Sequence, residues 1–132
     1  MRITKVDTFT FWADWCNWLF VRVSTDEGLV GWGEGSLHGA IASVETAIRE
    51  MSPALVGAPF DGVEVSWQRL YHGWRWRGGA IQNTALSAID LALWDLEGVP
   101  KGPGLGAEVN VEAIAELSFR PQPLSQSRSW WS

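Results

Sequence analysis

A single cysteine, Cys16, and two histidines, His38 and His72, leave this chain without material for a disulfide framework or a zinc site. One thiol closes no intramolecular bridge and fits a reducing compartment. The histidines stand far apart in sequence, with no cysteine or paired acidic ligand at metal spacing. Positive charge is scarce too: 10 basic against 15 acidic residues give a net charge of −5. That balance argues against a general phosphate-binding surface, and so against nucleic acid, and it offers an anionic membrane nothing to attract. No apolar run approaches the roughly 20 residues that span a bilayer. The amino end, MRITKVDTFTFW, lacks the basic-then-apolar layout of a signal peptide. The expected location is the cytoplasm, with no membrane partner.

What the chain does have is apolar content. A 46% hydrophobic fraction with 19% charged residues suits a folded domain rather than a disordered chain, and 132 residues suffice for one core. Ten tryptophans are well above ordinary usage. Residues 2–11 mix β-branched and aromatic side chains and predict a half-exposed, edge-type first strand. Residues 13–17 break the pattern. Leu19, Val21 and Val23 then alternate with Phe20, Arg22 and Ser24, the period of a second strand. Thr25-Asp26-Glu27-Gly28 reads as a tight turn, and residues 29–34 pair back as a third strand.

Helical periodicity follows. Ile41, Val44, Ile48 and Met51 mark an amphipathic helix within 37–51 that Pro53 ends. Asp61 is placed to cap a second helix bearing Val63, Trp67, Leu70 and Tyr71, closed by Gly73. After a loop at 74–79 comes the longest periodic segment, AIQNTALSAIDLALWDLEG at 80–98. Its apolar stripe is Ala85, Ala88, Ile89, Ala92, Leu93 and Leu96. A second face holds Asn83, Ser87, Asp90, Trp94 and Glu97. Gly98 suits a left-handed carboxy-terminal cap before Pro100. A meander followed by helices predicts an α+β fold: a three-stranded antiparallel sheet covered on one face by three helices. From Val99 the chain turns rich in Gly, Pro, Ser and Gln, and reads as a mostly disordered tail with a short helix within 111–117.

Several groupings invite chemistry. Asp90 and Glu97 share a helix face but are separated by a rise of about 10 Å, too far to share one hard cation at about 2.0–2.6 Å. With Asp95 they read better as charges meeting solvent or neighbouring backbone. In GWGEGS at 31–36, Ser36 replaces the third glycine of a dinucleotide fingerprint and Glu34 would repel a pyrophosphate, so a tight exit from the third strand is the better account. The Trp-Arg alternation at 74–77 superficially suits single-stranded nucleic acid, but four residues make no groove on an acidic chain. Trp12, Trp15, Asn17 and Trp18 crowd the link between the first two strands. Core packing suits Trp12 and Trp18, whereas Trp15, mid-loop, and Asn17 suit the wall of a small polyol site.

The strings SAIDLALWDLEG, TDEGLVGWGEG at 25–35 and WRGG at 76–79 resemble the N-terminal domain of the mandelate racemase and muconate lactonizing group of the enolase superfamily. Within it the likeness is to acid-sugar dehydratases of the galactonate and mannonate type, over residues 1–98. The resemblance implies the same α+β domain, with a loop between the first two strands that closes over the mouth of a (β/α) barrel. In the family that barrel carries Mg²⁺ and the catalytic acids and bases, which convert an aldonate to a 2-keto-3-deoxy acid. A barrel needs on the order of 200 residues or more, and 34 follow Gly98. The resemblance therefore implies a shortened chain, residues 1–98 capping domain and 99–132 divergent tail, that is part of an enzyme and not catalytic by itself. Its cofactor, Mg²⁺, would sit in the barrel, with none on this chain. Its partners would be a missing or separate barrel and a small sugar acid. The alternative is a stand-alone binding or homo-oligomerisation module. His38 stands where mannonate-type dehydratases present a polar residue, usually asparagine, to substrate. With Trp15, Asn17, Trp76 and Arg77 it forms the candidate substrate-binding set. Arg75 or Arg77 would pair a carboxylate of barrel or substrate.

Overall fold

The alternating run at 19–23 becomes the middle of the sheet. In the computed structural model, which describes residues 1–102 and 109–121, three antiparallel strands lie in the order β1 (Ile3–Ala13), β2 (Cys16–Thr25), β3 (Val30–Glu34). Val6 pairs with Val23 and Thr8 with Val21, while Val21 and Val23 face Gly33 and Gly31 on the other side. Leu19, Val21 and Val23 are completely buried, so this is the face the helices cover.

Three helices follow: α1 (Ile41–Met51), α2 (Val63–Gly73) and α3 (Ala80–Gly98). The stripe expected on α3 is buried in full, and each of its large members, Ile89, Leu93 and Leu96, contributes about 1.5–3 kcal/mol of apolar burial. The architecture is the predicted α+β fold, and no (β/α) barrel occurs among the described residues.

The glycines of β3 explain how close sheet and helix come. A Cβ on Gly31 would overlap the backbone carbonyl of Ala92, and one on Gly33 the carbonyl of Ala88. Small residues on both elements let α3 lie directly on β3. Asp95, 5% exposed, reaches from the helix to accept a 2.8 Å hydrogen bond from the Trp32 backbone N–H. This carboxylate meets neighbouring backbone, as expected for the acids of this helix.

The opposite face of the sheet is aromatic. Arg22 lies over Phe9 and Trp32, 5.1 and 5.7 Å from the ring centres, and its Nη2 donates to Asp7 at 2.7 Å. Burial pushes the Asp7 carboxyl up, but hydrogen bonds from Lys5 and Arg22 outweigh it and leave it below its ordinary value.

Four local expectations change. β1 runs to Ala13 and β2 starts at Cys16, so the break at 13–17 shrinks to a two-residue turn, Asp14-Trp15, with Asp14 at φ 57°. Trp18 lies on the outer sheet face opposite Phe11, not in the core, and is 36% exposed. Asp61 caps nothing: Gly62, at φ 106°, precedes α2, and no side chain accepts a bond there. Gly98 is right-handed helical, φ −74°, because the chain continues into a 3-10 turn at Val99–Lys101 that accommodates Pro100 near its start. The short helix in the tail exists as α4 (Val111–Ala115), with the Asn110 side chain accepting from the Ala113 N–H. The disorder expected elsewhere in the tail falls partly on 103–108 and 122–132, outside the described residues.

Candidate functional site

Two turns converge at one end of the sheet. The tight turn after β1 carries Trp15 to the tip of the hairpin, 60% exposed. The loop from β3 to α1 is set by Ser36, whose hydroxyl accepts from the Leu19 N–H at 2.9 Å while its own N–H donates to Glu34 at 2.6 Å. The Ser36 hydroxyl thereby serves as an acceptor for the sheet as β3 ends, and His38 follows two residues on. The rings of Trp15 and His38 lie 5.2 Å apart, tilted by 42°. Residues far apart in sequence thus share one edge, an amphipathic indole beside an imidazole able to donate and accept.

Asn17 is close by and differently employed. It is 3% exposed, and its amide reads the backbone of Arg120: Nδ2 donates to the carbonyl at 2.6 Å, and Oδ1 accepts from the N–H at 3.1 Å. A pocket of about 200 Å³ lies beside it, walled by residues 39–42, Phe119 and Pro121. Arg120 also places its guanidinium 5.1 Å from the Trp12 ring. Nothing in the composition of 118–121 marked this segment as a neighbour of Asn17. The one usable signal was the short helix that precedes it.

Trp76 and Arg77 belong to a different loop, between α2 and α3. Trp76 is 80% exposed, and Arg77 lies 5.4 Å over Tyr71, whose ring stacks on Trp67 at 4.7 Å. Among the described residues Arg77 thus has an aromatic partner, while the carboxylate expected for it belongs to a barrel or substrate outside them. The adjoining cleft holds about 10 Å³, room for about one water and not for a sugar.

The second face of α3 reaches the surface at Trp94, 56% exposed, and Leu91, which was not expected there, joins it at 40%. Asp90 is partly shielded. Burial raises its carboxyl above the ordinary value of 3.8, and the charge of Glu64 on α2 adds to the effect.

The family model for the mandelate racemase / muconate lactonizing enzyme N-terminal domain matches residues 14–105. The chain belongs to this family. The match runs past Gly98, so family character does not stop at that residue. The D-galactonate dehydratase of Pectobacterium atrosepticum is 40% identical over 109 residues, 83% of this chain and 27% of that protein. That of Xanthomonas axonopodis pv. citri is 41% identical over the same shares. Among solved structures, an enolase from Pantoea ananatis with bound D-gluconate and magnesium superposes with a TM-score of 0.72 at 36% identity, covering 76% of this chain and 25% of that one. The 3,6-anhydro-D-galactonate cycloisomerase from Zobellia galactanivorans gives 0.68 at 31%, covering 76% and 29%. The chain thus spans about a quarter of the length of the curated relatives it matches. Among the described residues no three His, Cys, Asp or Glu side chains converge to hold a metal. No described helix is long and apolar enough to cross a membrane.

Proposed function

We propose that this chain is the substrate-capping N-terminal domain of a magnesium-dependent acid-sugar dehydratase, an enzyme that turns an aldonate into a 2-keto-3-deoxy acid. In this reading the barrel that performs the chemistry is a separate structural unit that these 132 residues do not contain. The capping domain excludes water and recognises the far end of the sugar acid. Trp15 beside His38 carries the proposal, because the pair offers a flat apolar wall and an adjacent hydrogen-bonding ring to a polyol. The 40% identity to a D-galactonate dehydratase supports the substrate class. In this reading magnesium belongs with the barrel. The exposed Trp94 and Leu91, with Asp90 and Glu97 alongside, are the proposed contact for that barrel, and Trp76 and Arg77 are peripheral to the sugar.

The purified 132-residue protein is expected to form no keto acid from D-galactonate or D-gluconate with Mg²⁺. Exchanged for the corresponding domain of the Pectobacterium enzyme, residues 1–98 should support turnover, with Trp15→Ala raising KM more than it lowers kcat. Turnover by the chain alone, or a folded chimera without activity, would overturn the reading. A discrete oligomer in sizing experiments together with a dead chimera would favour the stand-alone module.

A further inference from the structure

The segment 118–121 lies outside the span of the family model, yet it is held by a cross-strand pair of which one member, Asn17, lies within that span. Trp12 and Asn17 face each other across β1 and β2, on either side of the turn that carries Trp15. The Trp12 backbone N–H, on the free edge of β1, donates to the Ser118 carbonyl at 3.2 Å. The Asn17 amide grips both the N–H and the carbonyl of Arg120. The Arg120 guanidinium lies over the Trp12 ring, 5.1 Å from its centre. Phe119 and Pro121 then form a wall of the pocket against residues 39–42, at the start of α1.

These contacts join three parts of the molecule: the rung next to the last in the hairpin, the tail, and the first turn of α1. A hairpin end that serves as a closing lid needs low local stability. Here that end is bolted down by hydrogen bonds to the main chain of the tail, which do not depend on the identity of the tail side chains. We propose that residues 118–121 are an intramolecular strap that fixes the Trp15 hairpin in one position, and that the hairpin moves only when Asn17 releases Arg120. The consequence for catalysis rests on the capping function proposed above, but the strap does not, and the experiment reads the strap directly.

Amide hydrogen exchange of the full 132-residue protein tests it. Arg120→Pro removes the N–H that Asn17 accepts and the guanidinium together, at an exposed tail position. Exchange at residues 12–18 is expected to accelerate about tenfold, while 85–96 in α3 stay unchanged and report an intact fold. Arg120→Ala, which keeps the main-chain bonds, should have a clearly smaller effect. Three outcomes would overturn the strap: unchanged exchange at 12–18 in Arg120→Pro, equal acceleration in the core, or protection in the unmodified protein that is lost on dilution. The last would mean that the segment reaches over from a second copy. None of them depends on dehydratase activity, so the strap and the capping function can fail separately.

Discussion

The two long faces of α3 differ in kind. The inner face is tied to β3 by direct backbone approach and a buried carboxylate, so every position there is specified by its neighbour. The outer face ends in Leu91, Trp94 and a half-shielded Asp90, and nothing within the described chain demands those residues. A side chain required by the fold and one left over from it can thus sit one helical turn apart. The leftover ones are where a partner is to be sought.

The sharpest way to break this contrast is Gly31→Ala. The added methyl meets a helix backbone carbonyl rather than a flexible side chain, and the expected loss is about 3 kcal/mol in denaturant unfolding. A change under about 0.5 kcal/mol would mean that α3 drifts freely over the sheet. Asp95→Ala comes next. It leaves the Trp32 N–H without this acceptor, and a loss of about 2 kcal/mol is expected. Asp90→Asn, on the outer side, should act in the opposite direction and weakly. The folded protein holds the Asp90 proton more tightly than the unfolded chain does, so wild-type stability falls as pH rises from 3.8 through the raised value. Measured by urea midpoint, the variant should lose that fall, so that relative to wild type it gains stability across this window and keeps the gain above it. An advantage of the variant over wild type that grows as pH falls would contradict the shielding.

Much of this was legible beforehand because it rests on periodicity. Leu19, Val21 and Val23 at a period of two, and the Ala-Ile-Leu stripe of 80–98, place strand and helix without further information. The end of β1 was not legible, because Ala13, Cys16 and Asn17 have little strand preference and are held by pairing across a turn that Asp14 enters at positive φ. The candidate site was half legible. Trp15 and His38 meet, but the partner of Asn17 lies 103 residues away in a segment whose composition points to no structure. Long-range main-chain contacts leave no trace in side-chain pattern. The role of the β3 glycines was hidden for a related reason: a missing Cβ shows up only when a second backbone is close enough to need the space.

α3 has no side-chain cap at its first turn, no acid there and no base in its last turn. Asp95 even sits near the end where the helix dipole disfavours negative charge. As a free peptide such a segment would spend little time helical. It is a helix by virtue of the sheet beneath it, just as β3, with three glycines in and just after it, is a weak strand without the helix above. Neither element is a plausible early fragment, so the two should appear and disappear together. The domain should therefore unfold as one cooperative unit.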